Sequence, residues 1–164
     1  MLADVEIRPV AEHEYARVGV LTVAAYESVP GMPLGDYREA LRDVAGRVAD
    51  AVVLVAVEDA EVLGAVTYVP GPDSASAEFT DPTAAGMRFL AVDPPAQGRG
   101  VGAALTRACL ERARQEGRAR VVLHSTGWMT AALRLYEGLG FRRADELDWT
   151  PEPGVTLLGY AYEL

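Results

Sequence analysis

The chain has 164 residues, half of them apolar and 24% charged, with a formal net charge of −9. That is the balance of one globular domain able to bury a core, not of a disordered chain. All 15 basic side chains are arginine: residues 1–83 hold 5 against 15 acids, net −10, and residues 84–164 hold 10 against 9, net +1. A nucleic-acid partner needs a basic face and is not expected. The split fits an anionic ligand held by the second half and a cationic one met by the first, unless the acids are plain solvated surface. The longest apolar run, AVVLVAV at 51–57, falls far short of the roughly 20 residues that cross a bilayer, so no membrane partner is expected. MLADVEIRPV has neither the basic nor the apolar region of a secretory signal, and the single Cys109 has no partner for an intrachain disulfide. A cytoplasmic protein is expected.

In chain order, VEIRPV at 5–10 alternates as a short strand closed by proline, and His13 to Glu27 has a helical pattern. DYRE resembles a capping box, with Asp36 as N-cap and Glu39 three residues on. Tyr37, Leu41, Val44 and Val48 then recur at helical spacing and are expected to face the core. VVLVAV at 52–57 and VLGAVTYV at 62–69 flank the polar break EDAE and predict a β-hairpin. The stretch 70–83, PGPDSASAEFTDPT, has no periodicity, and so long a structureless segment is usually functional or mobile. MRFLAV at 87–92 is a strand that leads through a glycine-rich turn into a helix ending near Gln115. RVVLHST at 120–126, a helix from Thr130 to Leu139 stopped by Gly140, and a closing strand at 155–164 complete an α/β chain without repeats.

The turn, QGRGVG at 97–102, is a phosphate-binding pattern. A P-loop needs a lysine, and the chain has none. Gly98, Gly100 and Ala103 satisfy G-x-G-x-x-A, but the next strand ends without the acid that holds a ribose, which disfavours a nucleotide-cofactor oxidoreductase. Glycines at 98, 100 and 102 clear the space in which backbone N–H groups converge at the positive end of a helix. A pyrophosphate suits that place, with Arg99 at its rim.

LAVDPPAQGRGVGAAL resembles motif A of the GCN5-related N-acetyltransferases (GNAT), with Gln97, Gly100 and Gly102 at its Q-x-x-G-x-G positions. AALRLYEGLGF at 131–141 is similar to the same family's later A-x-x-L-Y-x-x-x-G-F helix. The resemblance implies one acetyltransferase domain over residues 1–164, of α/β (α+β) class, with a mixed, mostly antiparallel sheet splayed at motif A and helices on both faces. It implies acetyl-CoA as donor, with no metal. Leu90, Ala91 and Val92 would bind the pantetheine amides, and Gln97, Gly98, Arg99, Gly100, Val101 and Gly102 the pyrophosphate. Ser125 would join the cofactor contacts, and Tyr136 would protonate the departing thiolate. Residues 132, 135, 136 and 139 also follow helical spacing, so Tyr136 is alternatively a core aromatic.

The general base stays unassigned, because Gly86 stands where many family members carry glutamate; Glu78 and Asp81 are loop candidates. Met129 replaces an asparagine the family often has there. Trp128 either lines the acceptor pocket or packs, and Asp145, Glu146 and Asp148 are either an anionic wall for a cationic amine or surface charge. His13 and His124 have no ligand at metal spacing, and Cys109 is expected to pack. The expected partner is a small-molecule or peptide amine, with a homodimer common in such proteins. A non-catalytic acyl-CoA-binding module is the other reading.

Overall fold

The computed structural model describes residue 2 and residues 4–164; Met1 and Ala3 of the N-terminal stretch lie outside the described residues. Strand β1 (Glu6–Pro9) enters a 3-10 turn and helix α1 (Tyr15–Glu27). Glu14 fixes that corner: its carboxylate accepts from Ala11 N at 2.9 Å and from both Arg8 amino groups at 2.9 and 2.8 Å. The Arg8 guanidinium holds the Glu14 carboxyl down at about 2.

Where one capped helix was expected, there are two, α2 (Tyr37–Arg42) and α3 (Val44–Val48). Asp36 makes no side-chain cap. The chain breaks at Asp43, whose carboxylate accepts from Gly46 N at 2.9 Å and so satisfies a first-turn amide of α3. Leu41 and Val44 are fully buried as expected, whereas Tyr37 is 37% exposed.

The hairpin forms between β2 (Val52–Glu58) and β3 (Glu61–Val69), and its two loop residues, Asp59 and Ala60, both have positive φ (51° and 66°). Two left-handed residues give the turn whose twist matches paired strands. Residues 70–83 contain no helix or strand. Then come β4 (Ala84–Val92), α4 (Val101–Gln115), β5 (Arg120–Ser125) and α5 (Thr130–Leu139), the last ended by Gly140 at φ 109°. After them, β6 (Arg142–Arg143), β7 (Trp149–Glu152) and β8 (Val155–Glu163) fill the C-terminal part.

The sheet order is β1-β2-β3-β4-β5-β8-β6, with β7 paired to β8. Every pairing is antiparallel except β4 with β5. Alternation along β2 divides the core. Leu54 and Ala56 pack with Leu105, Cys109 and Ala113 of α4 and with Tyr136 of α5. Val53, Val55 and Val57 pack with Val18 and Leu21 of α1 and Val44 of α3. Helices thus cover both faces of the sheet.

The observed cap defines a stability test. Asp43→Ala should lose about 1 kcal/mol of unfolding free energy in urea, and Asp36→Ala should leave it within the error of the measurement.

Candidate active site

Strand β4 parts from β5 partway along. Their pairing covers Ala84–Gly86 against Arg120–Val122, yet β4 continues to Val92 with β3 as its one remaining strand partner. The register against β3 shifts between Ala65 and Thr67, and Phe89 sits at φ 56°, left-handed for a non-glycine. A bulge of this kind bends a strand and raises its twist. Beyond Gly86, the edge of β4 turned to the opening is left without a ladder, as an extended ligand requires.

The opening leads into a cleft of about 500 Å³. Eight of the residues expected to hold a cofactor line it: Leu90, Ala91, Val92, Gln97, Gly98, Gly100, Val101 and Gly102. Gly98 and Gly100 adopt φ of 82° and 88°, which side-chain-bearing residues avoid. The ladder of α4 begins with Ala104 N donating to Gly100 O at 3.0 Å. The amides of Val101, Gly102 and Ala103 therefore point out of the helix end without intrahelical partners, where the dipole is positive. Gln97 secures the turn by donating from Nε2 to Val92 O at 3.1 Å. This geometry fits a diphosphate-bearing ligand with an extended arm.

Arg99, Ser125 and Tyr136 do not line the open cleft. Arg99 pairs with Glu58 of β2 at 2.7 Å, which raises its pKa. Ser125, at the end of β5, has a buried Oγ without a hydrogen-bond partner. Alternation puts Ser125 on the face of Val121 and Leu123, the face that packs with α4 and Tyr136. Tyr136 is 6% exposed and packs edge-on to Phe141 at 5.7 Å between centroids. Burial, with Cys109 nearby, pushes its phenol pKa well above the ordinary range, so its proton is retained. Cys109 is fully buried and its thiol is pushed up to about 12, consistent with packing.

Trp128 lines the cleft beside Gly31, together with Met129. The acids are placed differently from the expectation of an anionic wall. Arg143 and Gly159 N hold Asp148 at 2.7 to 2.9 Å, keeping its pKa at about 2, and Asp148 does not reach the cleft. Asp81 accepts from Thr83 and Arg120. Glu78 lies 3.2 Å from Arg88 Nε and 3.9 Å from His124 Nδ1. His124 Nε2 is 2.8 Å from Leu147 O; a carbonyl only accepts, so Nε2 carries a hydrogen.

The first half contributes residues that periodicity did not single out. Tyr26, at the end of α1, lines the cleft. Its phenol lies within electrostatic reach of Tyr37, Tyr136, Arg88 and Arg47, and burial raises its pKa. The one available signal was the helix end before Pro30–Gly31, which brings Tyr26 to a loop.

With this geometry in place, comparison with known proteins defines the class. The chain matches the sequence model of the Acetyltransferase (GNAT) family over residues 21–141, and it belongs to that family. It is 44% identical over 66 residues to a mycothiol acetyltransferase of Rhodococcus erythropolis, covering 40% of this chain and 22% of that protein. To an N-acetylaspartate synthetase of Danio rerio it is 35% identical over 102 residues, 62% of this chain and 33% of that one. The chain thus spans a third or less of these relatives' length. A putative acetyltransferase of Salmonella typhimurium, solved with its cofactor acetyl-CoA, shares the fold with a TM-score of 0.71 at 19% identity, covering 98% of this chain and 94% of that one.

At Gly86, where a base was sought, a Cβ would come within 2.5 Å of Phe79 Cε1. Glycine there admits the 70–83 segment onto the sheet. Gly86→Ala should therefore cost about 1–3 kcal/mol by overpacking, read as a lower urea midpoint with an unchanged m-value.

Proposed function

We propose that the protein transfers an acetyl group from acetyl-CoA directly to the primary amine of a small molecule. The observation that supports this most is the free edge of β4 running straight into the left-handed glycine turn and the N-terminus of α4. Backbone groups of Leu90, Ala91 and Val92 take the amides of the pantetheine arm in place of the missing strand. The amides of the turn and of the first helical residues take the pyrophosphate. An N–H on the same edge polarises the thioester carbonyl and stabilises the oxyanion that develops there.

A neutral amine attacks the carbonyl carbon, the C–S bond breaks, and the thiolate receives the Tyr136 proton. The proton shed by the new amide nitrogen leaves to solvent, from which the phenol is restored. Reference pKa values of about 10 for a phenol and about 8.5 for a thiol make this transfer mildly uphill. Burial raises the Tyr136 phenol above its reference value, so the transfer requires a thiolate desolvated beside it. Ser125 Oγ, without an acceptor of its own, stands on the same face as a second donor. Glu78 is committed to Arg88 and is not a free base.

Two substitutions separate donor binding from chemistry. Gly100→Glu puts a side chain and a negative charge into the turn at φ 88°, and calorimetric acetyl-CoA binding should disappear. Retained binding would remove the turn from the donor site. Tyr136→Phe should keep acetyl-CoA affinity within about twofold while CoA release slows about 100-fold, and unchanged turnover would remove Tyr136 from the mechanism.

A further inference from the structure

Two arginines meet at one phenylalanine on the face opposite α4. The guanidinium carbon of Arg47 lies 4.3 Å from the Phe89 ring centroid, and that of Arg88 lies 4.4 Å from it. Phe89 reaches this place through its left-handed backbone, a conformation that persists in a non-glycine residue only where the surroundings enforce it. Tyr37 stacks on the same ring at 6.1 Å, and Tyr26 packs against Tyr37 at 6.3 Å.

The charges around the ring do not balance. Arg88 is fixed by Glu78, by Ser76 O at 3.2 Å and by the Tyr37 hydroxyl at 3.3 Å. Arg47 is 6% exposed and donates to Ala40 O and Leu41 O at 2.6 and 3.2 Å. Among the described residues it has no carboxylate within ion-pair distance, and its buried Nε has no partner. Asp43, the acid whose charge reaches it, spends its carboxylate on Gly46 N. Two guanidiniums thus face one carboxylate, leaving one positive charge enclosed. A buried cation without a counter-ion is unfavourable, and a single anion would relieve it.

Phe89 immediately precedes Leu90, where the wall of the cleft begins, and Tyr26 belongs to both the cleft and the cluster. The excess charge therefore adjoins the cleft through Tyr26 and Leu90, with neither guanidinium in the cleft wall, and lies away from the glycine turn. We infer that the acceptor is an amino carboxylate, of the α-amino-acid class, whose carboxylate docks at Arg47 and Arg88 beside Tyr26. The inference rests on the acetyltransferase reading and adds the acceptor's class to it. One net charge suits a carboxylate, whereas a phosphate dianion would be opposed by Glu78. A cationic acceptor, which the acid-rich first half suggested, would meet two arginines.

The test measures CoA release at saturating acetyl-CoA with the common L-α-amino acids, each against its own α-amide. The amide's amine is more often neutral, so intrinsic reactivity works against the expected preference. For the best substrate, the acid should exceed its amide about 10- to 100-fold in kcat/KM. Arg88→Gln should raise KM for the acid at least about tenfold and leave acetyl-CoA affinity unchanged. Arg47→Gln should do the same, with acetyl-CoA binding and near-UV circular dichroism confirming that it is folded. Amides used as well as acids would overturn the inference while leaving the acetyltransferase intact, as would a preference that survives both substitutions. If no amine releases CoA, the acetyltransferase reading fails instead. Calorimetry with the same acids and amides then decides the subsite: binding that needs both the carboxylate and Arg88 supports it, and its absence sinks it.

Discussion

The organisation of this molecule depends on the short reach of one parallel pairing. β4 and β5 share a ladder from Ala84 to Gly86, and from there β4 goes on alone. Backbone donors and acceptors inside a protein need partners, so an edge left open beside a cleft is specific for something extended. The bulge at Phe89 bends the strand at the point of separation. Close packing on the far side keeps that geometry from relaxing. A Cβ at Gly64 on β3 would meet Ala91 O at 2.8 Å, Val101 at 3.1 Å and Leu105 at 3.2 Å. Glycine there lets β3, β4 and the start of α4 come together, which ties the angle of the strand to the position of the helix end.

Arginine forks set the polar framework of a chain that has no lysine. Arg17 bridges from α1 to Asp93 at the end of β4, and Arg99 from the glycine turn to Glu58 on β2. Arg120 joins Asp81 to Glu163, and Arg143 joins Asp148 to Gly159 O. Exposed pairs of this kind add little stability one by one. Their effect lies in position, because a planar fork fixes direction as well as distance. Asp93, Glu58 and Arg99 hold the two ends of the turn. Among the described residues no acid lines the cleft, and Glu58 and Asp81 of the acid-rich half are held by these forks.

How far the sequence revealed this differs between the two halves of the site. The strand, turn and helix of residues 87–115 and the helix of residues 130–139 were legible, since glycine spacing and 3.6-residue periodicity act locally. The hairpin at Asp59–Ala60 was legible for the same reason. The capping box at Asp36 was not what formed: each short helix follows an aspartate, and the chain settles on Asp43, where Gly46 lets its carboxylate approach the backbone. The local difference is the residue three positions on, Gly46 after Asp43 but Glu39 after Asp36. The charge asymmetry suggested a cationic ligand because a sequence counts charges and not pairs. Glu78, Asp81 and Asp148 are all held by arginines.

The same contrast explains why the donor was easier to read than the acceptor. Recognition on the proposed donor side is carried by backbone: a bare strand edge, two left-handed glycines and the first amides of a helix. Backbone recognition restricts which residues the chain tolerates, and those restrictions appear as glycines at fixed spacing. On the other face the proposed acceptor recognition falls to side chains brought from separate elements, Tyr26 from α1, Tyr37 from α2, Arg47 from α3 and Arg88 from β4. They meet at Phe89 only because β4 bulges there and α1 to α3 pack across that face. Their grouping is a product of the tertiary fold and leaves no periodic trace. In a chain built this way the proposed acceptor site can change by side-chain substitution while the proposed donor site stays fixed by steric constraint.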